Sequence, residues 1–543
     1  MLGHYRSPLA ARHKQEDFLL KMLAGGFKYS RSLFAHTNCV NAIAFSKYAG
    51  RWMASAGDDT NLFLWDTFQD NFHISPVPVF RLETEARKNV LAAAFNAFND
   101  KVYFVGTQSQ FVEYDISRLT SGQNQGVIPN HSSHPTMAAD QASQFIDLGR
   151  GNSVQYSRNY EDTIFSVSPH PTHPSLVMTA GEEGLVRLHD LRSPGTGFPS
   201  MEGRVVRNSE INDAQWCPTP GASHSFVVAQ QDGNVCLMDS RMAISTSIDP
   251  IADSDPKNVI QRYATWVSKA GFRSCWAPEP SSVTFSSDGM RMAITLKNFT
   301  PVLYDTFEVF PLTQLCAFPG NVDSPTVGSY ANNCTIKHGS FGGAGLGLPE
   351  DSIYCAGSDD FRVYAWAIPS GDALRQTARC LKSELWLSET DASHMGTYSQ
   401  RVVNLILPTF LWFFLLHWSI GFVTPDDLRI VSVPPCLSQP DFWLGGHRSV
   451  VNTAAFHPTL PLIFTSGVEN HIQLHSVRPL PGSQLSEAVE ATRVLPPSSL
   501  LSRISFRAST YGVETLSQEE IRLYRRIPRQ ERTVLMFDEY VLS

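Results

Sequence analysis

Among the 543 residues, nine cysteines are scattered from Cys39 to Cys436, and no two stand at CxxC spacing. An odd, dispersed set of this kind argues against a disulfide framework or a zinc knuckle and predicts reduced thiols in an intracellular protein. Positive charge is not in excess either: 43 basic residues face 51 acidic ones, a net charge of -8. That balance disfavours a general nucleic-acid or membrane-surface role. The opening "MLGHYRSPLAARHKQEDFLL" intersperses charges among few apolar residues, so no signal-peptide core is expected. Catalytic signatures are missing as well: there is no HExxH helix, no GxxxxGK[ST] loop, no nucleophile elbow and no kinase set. The glycine-rich "FGGAGLGLPE" (341–350) lacks GxGxxG spacing, and His170 and His173 have no third ligand at useful distance in sequence. The expectation is a binding protein with no metal, no cofactor and no catalytic residue.

What the sequence has in quantity is a repeat. Residues 36–66, "HTNCVNAIAFSKYAGRWMASAGDDTNLFLWD", give an alternating apolar run, a turn, a small-residue strand, a Gly-Asp-Asp turn and a strand closing on Trp-Asp. Residues 447–476, "HRSVVNTAAFHPTLPLIFTSGVENHIQLHS", follow the same grammar, and five further copies lie at 90–115, 162–190, 211–239, 281–305 and 334–368. Each copy offers three short strands of period two, the pattern of an all-β architecture.

The repeats resemble the WD-repeat family of β-propellers. The resemblance implies one seven-bladed propeller over about 31–478, preceded by a short helical segment within 1–30 and followed by a poorly ordered tail, 479–543. Insertions are expected at 120–152, 242–270, 306–333 and 370–440, and one amphipathic helix in the tail. It also implies a structural hydrogen-bond set, formed by His36, Ser55, Asp59 and Trp65 in the first unit. In the last unit the set falls on His447, Thr465, Glu469 and His475, with two positions substituted.

Residues 402–423, "VVNLILPTFLWFFLLHWSIGFV", carry no Asp, Glu, Lys or Arg and are a membrane-span candidate by hydropathy. A span there would part the seventh repeat from the other six. A packed insertion or a translated intron therefore reads better than a membrane segment.

Two units end alike: "HDLR" places Asp190 two residues before Arg192, and "MDSR" places Asp239 before Arg241. An aspartate so placed can hold its arginine in a bidentate pair at the rim of the strand. These ends, with "HKQEDFLLKMLAGGFKYSRSLFAHTNCVNAI" near the N-terminus, are similar to the Trp-Asp-x-Arg box and leading helix of the DDB-cullin-associated factors, substrate receptors of cullin 4 RING ubiquitin ligases. The box tryptophan is replaced by His189 and Met238. The resemblance implies a non-catalytic receptor that docks on the ligase adaptor through Asp190, Arg192, Asp239 and Arg241. Phe18, Leu19 and Met22, with Leu20 and Leu23, would lay a helical face in the adaptor's groove. A protein substrate that the sequence does not name, and a nuclear or cytoplasmic location, go with this reading; a general interaction scaffold is the rival.

Overall fold

The computed structural model describes residues between 16 and 526, with its longest gaps at 118–145, 245–258, 318–329, 389–419 and 486–515. The described chain is all-β, built of many small, mainly antiparallel sheets with few helices.

Each of the seven sequence units supplies three consecutive antiparallel strands to a sheet of its own. In the first these are Val40–Phe45, Trp52–Gly57 and Asn61–Asp66; in the last they are Val451–Phe456, Leu462–Gly467 and His471–Ser476. Every sheet also has a fourth strand outside the repeat as read from sequence: Phe80–Glu83, Ser153–Gln155, Phe198–Val206, Val259–Arg262, Pro311–Leu315 and Phe442–Leu444 in sheets one to six. For the seventh sheet that strand is Tyr29–Phe34, near the other end of the chain, with Tyr29 opposite Ser476 and Phe34 opposite His471. These strands fall outside the repeated segments, so the repeat grammar does not mark them; the sixth sheet's outer strand arrives from 442–444 to pair with Val363–Ala365.

Small residues in the second strands (Ala54 and Ala56, Ala180, Ala229) let neighbouring sheets approach face to face. Each sheet shares a buried apolar cluster with the next. The cluster between sheets one and two joins Leu62 and Leu64 to Phe104 and Val112. The one between sheets seven and one joins Phe464 and Leu474 to Phe63 and Trp65. Hydrogen bonds cross that last junction as well, from Thr453 Oγ1 to the Asn41 carbonyl at 2.8 Å.

A feature hidden from sequence patterning recurs at the start of the first strand in six sheets: a β-bulge, for example between Val40 and Ala42, Val90 and Ala92, and Val451 and Thr453. The bulge turns the preceding carbonyl toward the glycine ending the second strand, so the Cys39 carbonyl accepts from the Asp58 N–H at 3.0 Å and the Val450 carbonyl from the Val468 N–H at 2.9 Å.

Residues mostly from the expected insertions 242–270 and 370–440, with Cys275–Trp276 just beyond the first of them, form an eighth sheet. Its strands are Cys275–Trp276, Trp266–Lys269, Ile420–Thr424, Asp427–Val433 and Arg379–Lys382. The end of the apolar run belongs to it: Phe422 is fully buried in the core shared with sheets four and five. Residues 402–419 lie outside the described part, as does most of 120–152. Among the described residues no helix is long and apolar enough to cross a membrane. The tail begins with structure: Gln484–Leu485 pairs with Tyr29–Ser30, and a helix spans Gln518–Arg526.

Candidate functional site

The third strands of sheets one, two, four and five end on an aspartate, Asp66, Asp115, Asp239 and Asp305, and sheet three carries Asp190 at the matching position inside its longer strand Leu185–Gly195. In four of them the carboxylate accepts the backbone N–H two residues on, from Phe68 (3.1 Å), Ser117 (2.9 Å), Arg192 (3.0 Å) and Arg241 (2.9 Å). This is the Asx turn that aspartate makes best; it ends the strand in sheets one, two and four and shifts the register after Asp190 in sheet three. The following residue then donates its N–H to the hairpin joining the first two strands: Thr67 to Arg51, Ile116 to Asp100, Leu191 to Ser175, Ser240 to His224 and Thr306 to Met290. Closing turns and hairpins therefore lie side by side at one end of each of these sheets.

At that end the structure brings Arg192 onto Asp190, with Nε 2.9 and 2.8 Å from the two carboxylate oxygens and a terminal guanidinium nitrogen also bonded. Arg241 binds Asp239 in the same fork, Nε to Oδ1 at 3.0 Å and Nη2 to Oδ2 at 2.6 Å. The aspartates are buried and the arginines are not: side-chain exposure is 3% against 72% for the first pair and 11% against 66% for the second. The Arg241 guanidinium holds the Asp239 carboxyl below its ordinary value. Two fixed, exposed guanidinium planes thus occupy equivalent positions in adjacent sheets.

Other closing aspartates borrow an arginine from elsewhere. Asp66 is bound by Arg51 of the neighbouring hairpin, Nη2 at 2.8 Å, and Asp305 by Arg375 of the helix Gly371–Thr377. A third Asp-x-Arg fork, Asp427 with Arg429, lies in the eighth sheet; there Arg429 holds Asp427 down to about 2. Sequence reading passed over it because no repeat frames it, although the same three-residue spacing was there to be scanned for. The same sheet ends carry exposed apolar side chains, Tyr48, Phe98 and Met242 at 82%, 66% and 62%.

The N-terminal helix differs from its expected placement. Among the described residues 18–23, Leu23 is buried, and Leu19 and Met22 pack with it against Phe442, Phe456 and Ile463 of sheets six and seven. Phe18 and Leu20 point outward, 57% and 49% exposed. A single apolar face for a partner does not form, because the chain's own core takes half of it.

The blade network comes together in the first sheet. His36 meets Asp59 at 3.0 Å through Nδ1 and the Ser55 hydroxyl at 2.8 Å through Nε2, and Trp65 Nε1 donates to the same hydroxyl at 2.9 Å. In the seventh sheet His447 meets Glu469 at 2.8 Å and Thr465 at 2.7 Å, and Thr465 meets His475 at 2.9 Å. Thr179 and His189 repeat the last contact at 2.8 Å in sheet three. His447, Glu469 and His471 offer ligand atoms within 4.8 Å of one another. Both ring nitrogens of His447 are already engaged in the network, which makes the cluster structural.

Burial opposes ionisation of Asp59 and Glu469. His36 and the Thr37 and Asn61 N–H groups outweigh it for Asp59, and His447 and His471 with the Arg448 N–H outweigh it for Glu469, so both stay below the ordinary carboxyl range. Burial, then the neighbouring His447, pushes His475 down to about 3. A depressed carboxyl gives stability that is present above its unfolded value and lost as pH falls. A buried neutral histidine also loses ground on acidification, from about 6.5 downward. Melting temperature is therefore expected to drop as pH falls from 7 toward about 4 and more steeply below, with a shallower acid limb for Asp59→Asn. Calorimetric scans across that range check this; an acid limb unchanged by the substitution would contradict it.

With this geometry in hand, the fold defines a protein carrying WD repeats in a propeller-like all-β arrangement: residues 27–66 match the WD40 family, WD domain, G-beta repeat. That match runs from the outer strand of sheet seven through the third strand of sheet one. More particularly, the chain is similar to DDB1- and CUL4-associated factor 5 of Homo sapiens, 24% identical over 468 residues that make up 86% of this chain and 36% of the relative. It is similar in the same measure to DDB1- and CUL4-associated factor 5 of Mus musculus, 24% identical over 468 residues and again 36% of that protein. The chain thus spans about a third of the length of these curated relatives.

Proposed function

We propose that the seven repeat sheets are blades of one closed propeller and that this chain is a non-catalytic substrate receptor of a cullin 4 RING ubiquitin ligase. Arg192 and Arg241 anchor the adaptor, Asp190 and Asp239 aim them, and a protein substrate binds elsewhere. Support for closure comes from the pairing of Tyr29–Phe34 with His471–Ser476 and from the shared cluster between sheets seven and one. The single observation carrying the docking role is the pair of pre-oriented, exposed guanidinium groups at matching positions of adjacent sheets. An arginine already held by a buried aspartate loses little side-chain entropy on meeting an acidic or carbonyl-rich partner, so more of the contact energy appears as affinity. The names of the similar proteins point to the same class of partner.

A scaffold reading is favoured by a specific observation too. The Asx turn recurs at Asp66 and Asp115 without an arginine two residues on, so the aspartate has a structural duty of its own. Pull-down separates the two. Capture of the purified adaptor by the wild-type chain should fall at least about tenfold for the Arg192→Ala, Arg241→Ala double variant, since each truncated anchor is worth about 1–2 kcal/mol. Undiminished capture, or none by the wild type, supports the scaffold.

A further inference from the structure

Sheet five ends its fourth strand at Leu315, and Cys316 follows it into the core. The segment Cys436–Leu437, which comes just after the eighth sheet, runs parallel beside that strand, with Gln314 opposite Cys436 and Leu315 opposite Leu437. Backbone bonds fix the approach. Gln314 donates to the Pro435 carbonyl at 3.1 Å, and Cys316 donates to the Leu437 carbonyl at 2.8 Å. The Cys316 carbonyl in turn accepts from the buried Trp366 indole at 2.7 Å. Neither sulfur is needed to hold the other, yet the two Sγ atoms stand 2.9 Å apart, 120 positions from each other in sequence. A disulfide bond is about 2.05 Å long, so closure takes a further approach of about 0.9 Å.

We propose that Cys316 and Cys436 form a reversible oxidative cross-link whose co-substrate is a low-molecular-weight disulfide such as oxidised glutathione. Cys436 is exposed and Cys316 is buried, which sets the order of events. The Cys436 thiolate attacks one sulfur of the small disulfide, forms a mixed disulfide and expels one small thiolate. Cys316 then gives up its proton, attacks the Cys436 sulfur and expels the second thiolate. Two protein thiols have lost two electrons and two protons, and the small disulfide has gained them as two thiols. Burial, reinforced by the neighbouring Cys436 sulfur, holds the Cys316 thiol well above its ordinary value, in keeping with its place as the second sulfur to react. The product ties the segment that leaves the eighth sheet covalently to sheet five, closing a loop that encloses sheet six's own repeat. Closing so long a loop restricts the unfolded chain most.

The test uses the full chain, incubated with oxidised glutathione or with dithiothreitol, alkylated and mapped by mass spectrometry. The expected result is a peptide pair joining Cys316 to Cys436, lighter than the two free peptides by two hydrogen atoms. It should vanish in Cys436→Ser and on reduction, and persist in Cys380→Ser, which removes another exposed thiol. The oxidised wild type should also melt several degrees above its reduced form, with no such gap in Cys436→Ser. Glutathione left on Cys436 with Cys316 still alkylatable, thiols that remain unreacted, or a link running through Cys380 would each overturn the proposal. Because Cys436 is at the surface, the decisive variant leaves the core intact.

Discussion

Gly57→Ala is expected to destabilise the chain by about 3 kcal/mol or more, the upper range for forcing an extra group into packed surroundings. A Cβ built at Gly57 would stand 1.9 Å from the Cys39 carbonyl oxygen and 2.9 Å from its carbon. Both are backbone atoms, and the oxygen is pinned by its bond to the Asp58 N–H. Relief would require undoing the bulge, and with it the turn that carries Asp59 to His36. The same crowding recurs at Gly106, Gly181 and Gly467, where the carbonyls of Asn89, Thr163 and Val450 would lie 2.0, 2.1 and 1.9 Å from the added carbon. Gly221 is the matched control. A Cβ there meets nothing within 4 Å, and only its φ of +85° opposes alanine, a cost of about 1 kcal/mol. Denaturant unfolding of the two variants side by side checks this. Equal losses would show that the bulged strand yields, and the argument from the carbonyl would fail.

Lys337→Met should cost about 3–5 kcal/mol, the penalty for leaving one member of a buried ion pair behind. Lys337 is fully buried, with its Nζ 2.6 Å from the Asp359 carboxylate, itself 6% exposed. Asp359 occupies in sheet six the turn position of Asp59, but Asn332 stands where the first sheet has His36. In place of the histidine, the lysine reaches in from the first-strand side, while the Cys334 N–H donates to the other carboxylate oxygen at 3.1 Å. Methionine matches the lysine stem in length and leaves the aspartate charged in a dry site. Adding Asp359→Asn should return a good part of the loss, because the stranded charge is gone. A melting curve for Lys337→Met that overlays the wild type, or single-variant losses that simply add in the double, would contradict the ion-pair account.

Much of the architecture was legible because repetition is a one-dimensional signal. The apolar alternation in 40–45, 52–57 and 61–66 needs no partner to be seen, and each later copy is read against the first. The His36, Ser55, Asp59 and Trp65 constellation was legible through the resemblance to the WD-repeat family, which names the positions that the residues alone would not single out. Leu19 and Met22 were harder. An apolar helical face looks the same in sequence whether it covers a partner or its own sheets, and here the chain's own Phe442 and Phe456 take them. Lys337 was missed because a lysine in the segment leading into a strand carries no mark of burial.

By itself the sequence determined the seven sheet-forming units, the residues that turn each strand, and the arginines two places after Asp190 and Asp239, since all of these follow from local spacing and from what a short side chain can bond nearby. The tertiary structure alone decided where distant segments meet. It set Tyr29–Phe34 beside His471–Ser476, gave Ile420–Thr424 a place in an eighth sheet, and brought Cys316 within 2.9 Å of Cys436. Such pairings depend on which sheet edges remain open after the local strands have formed, and no short window of residues carries that information.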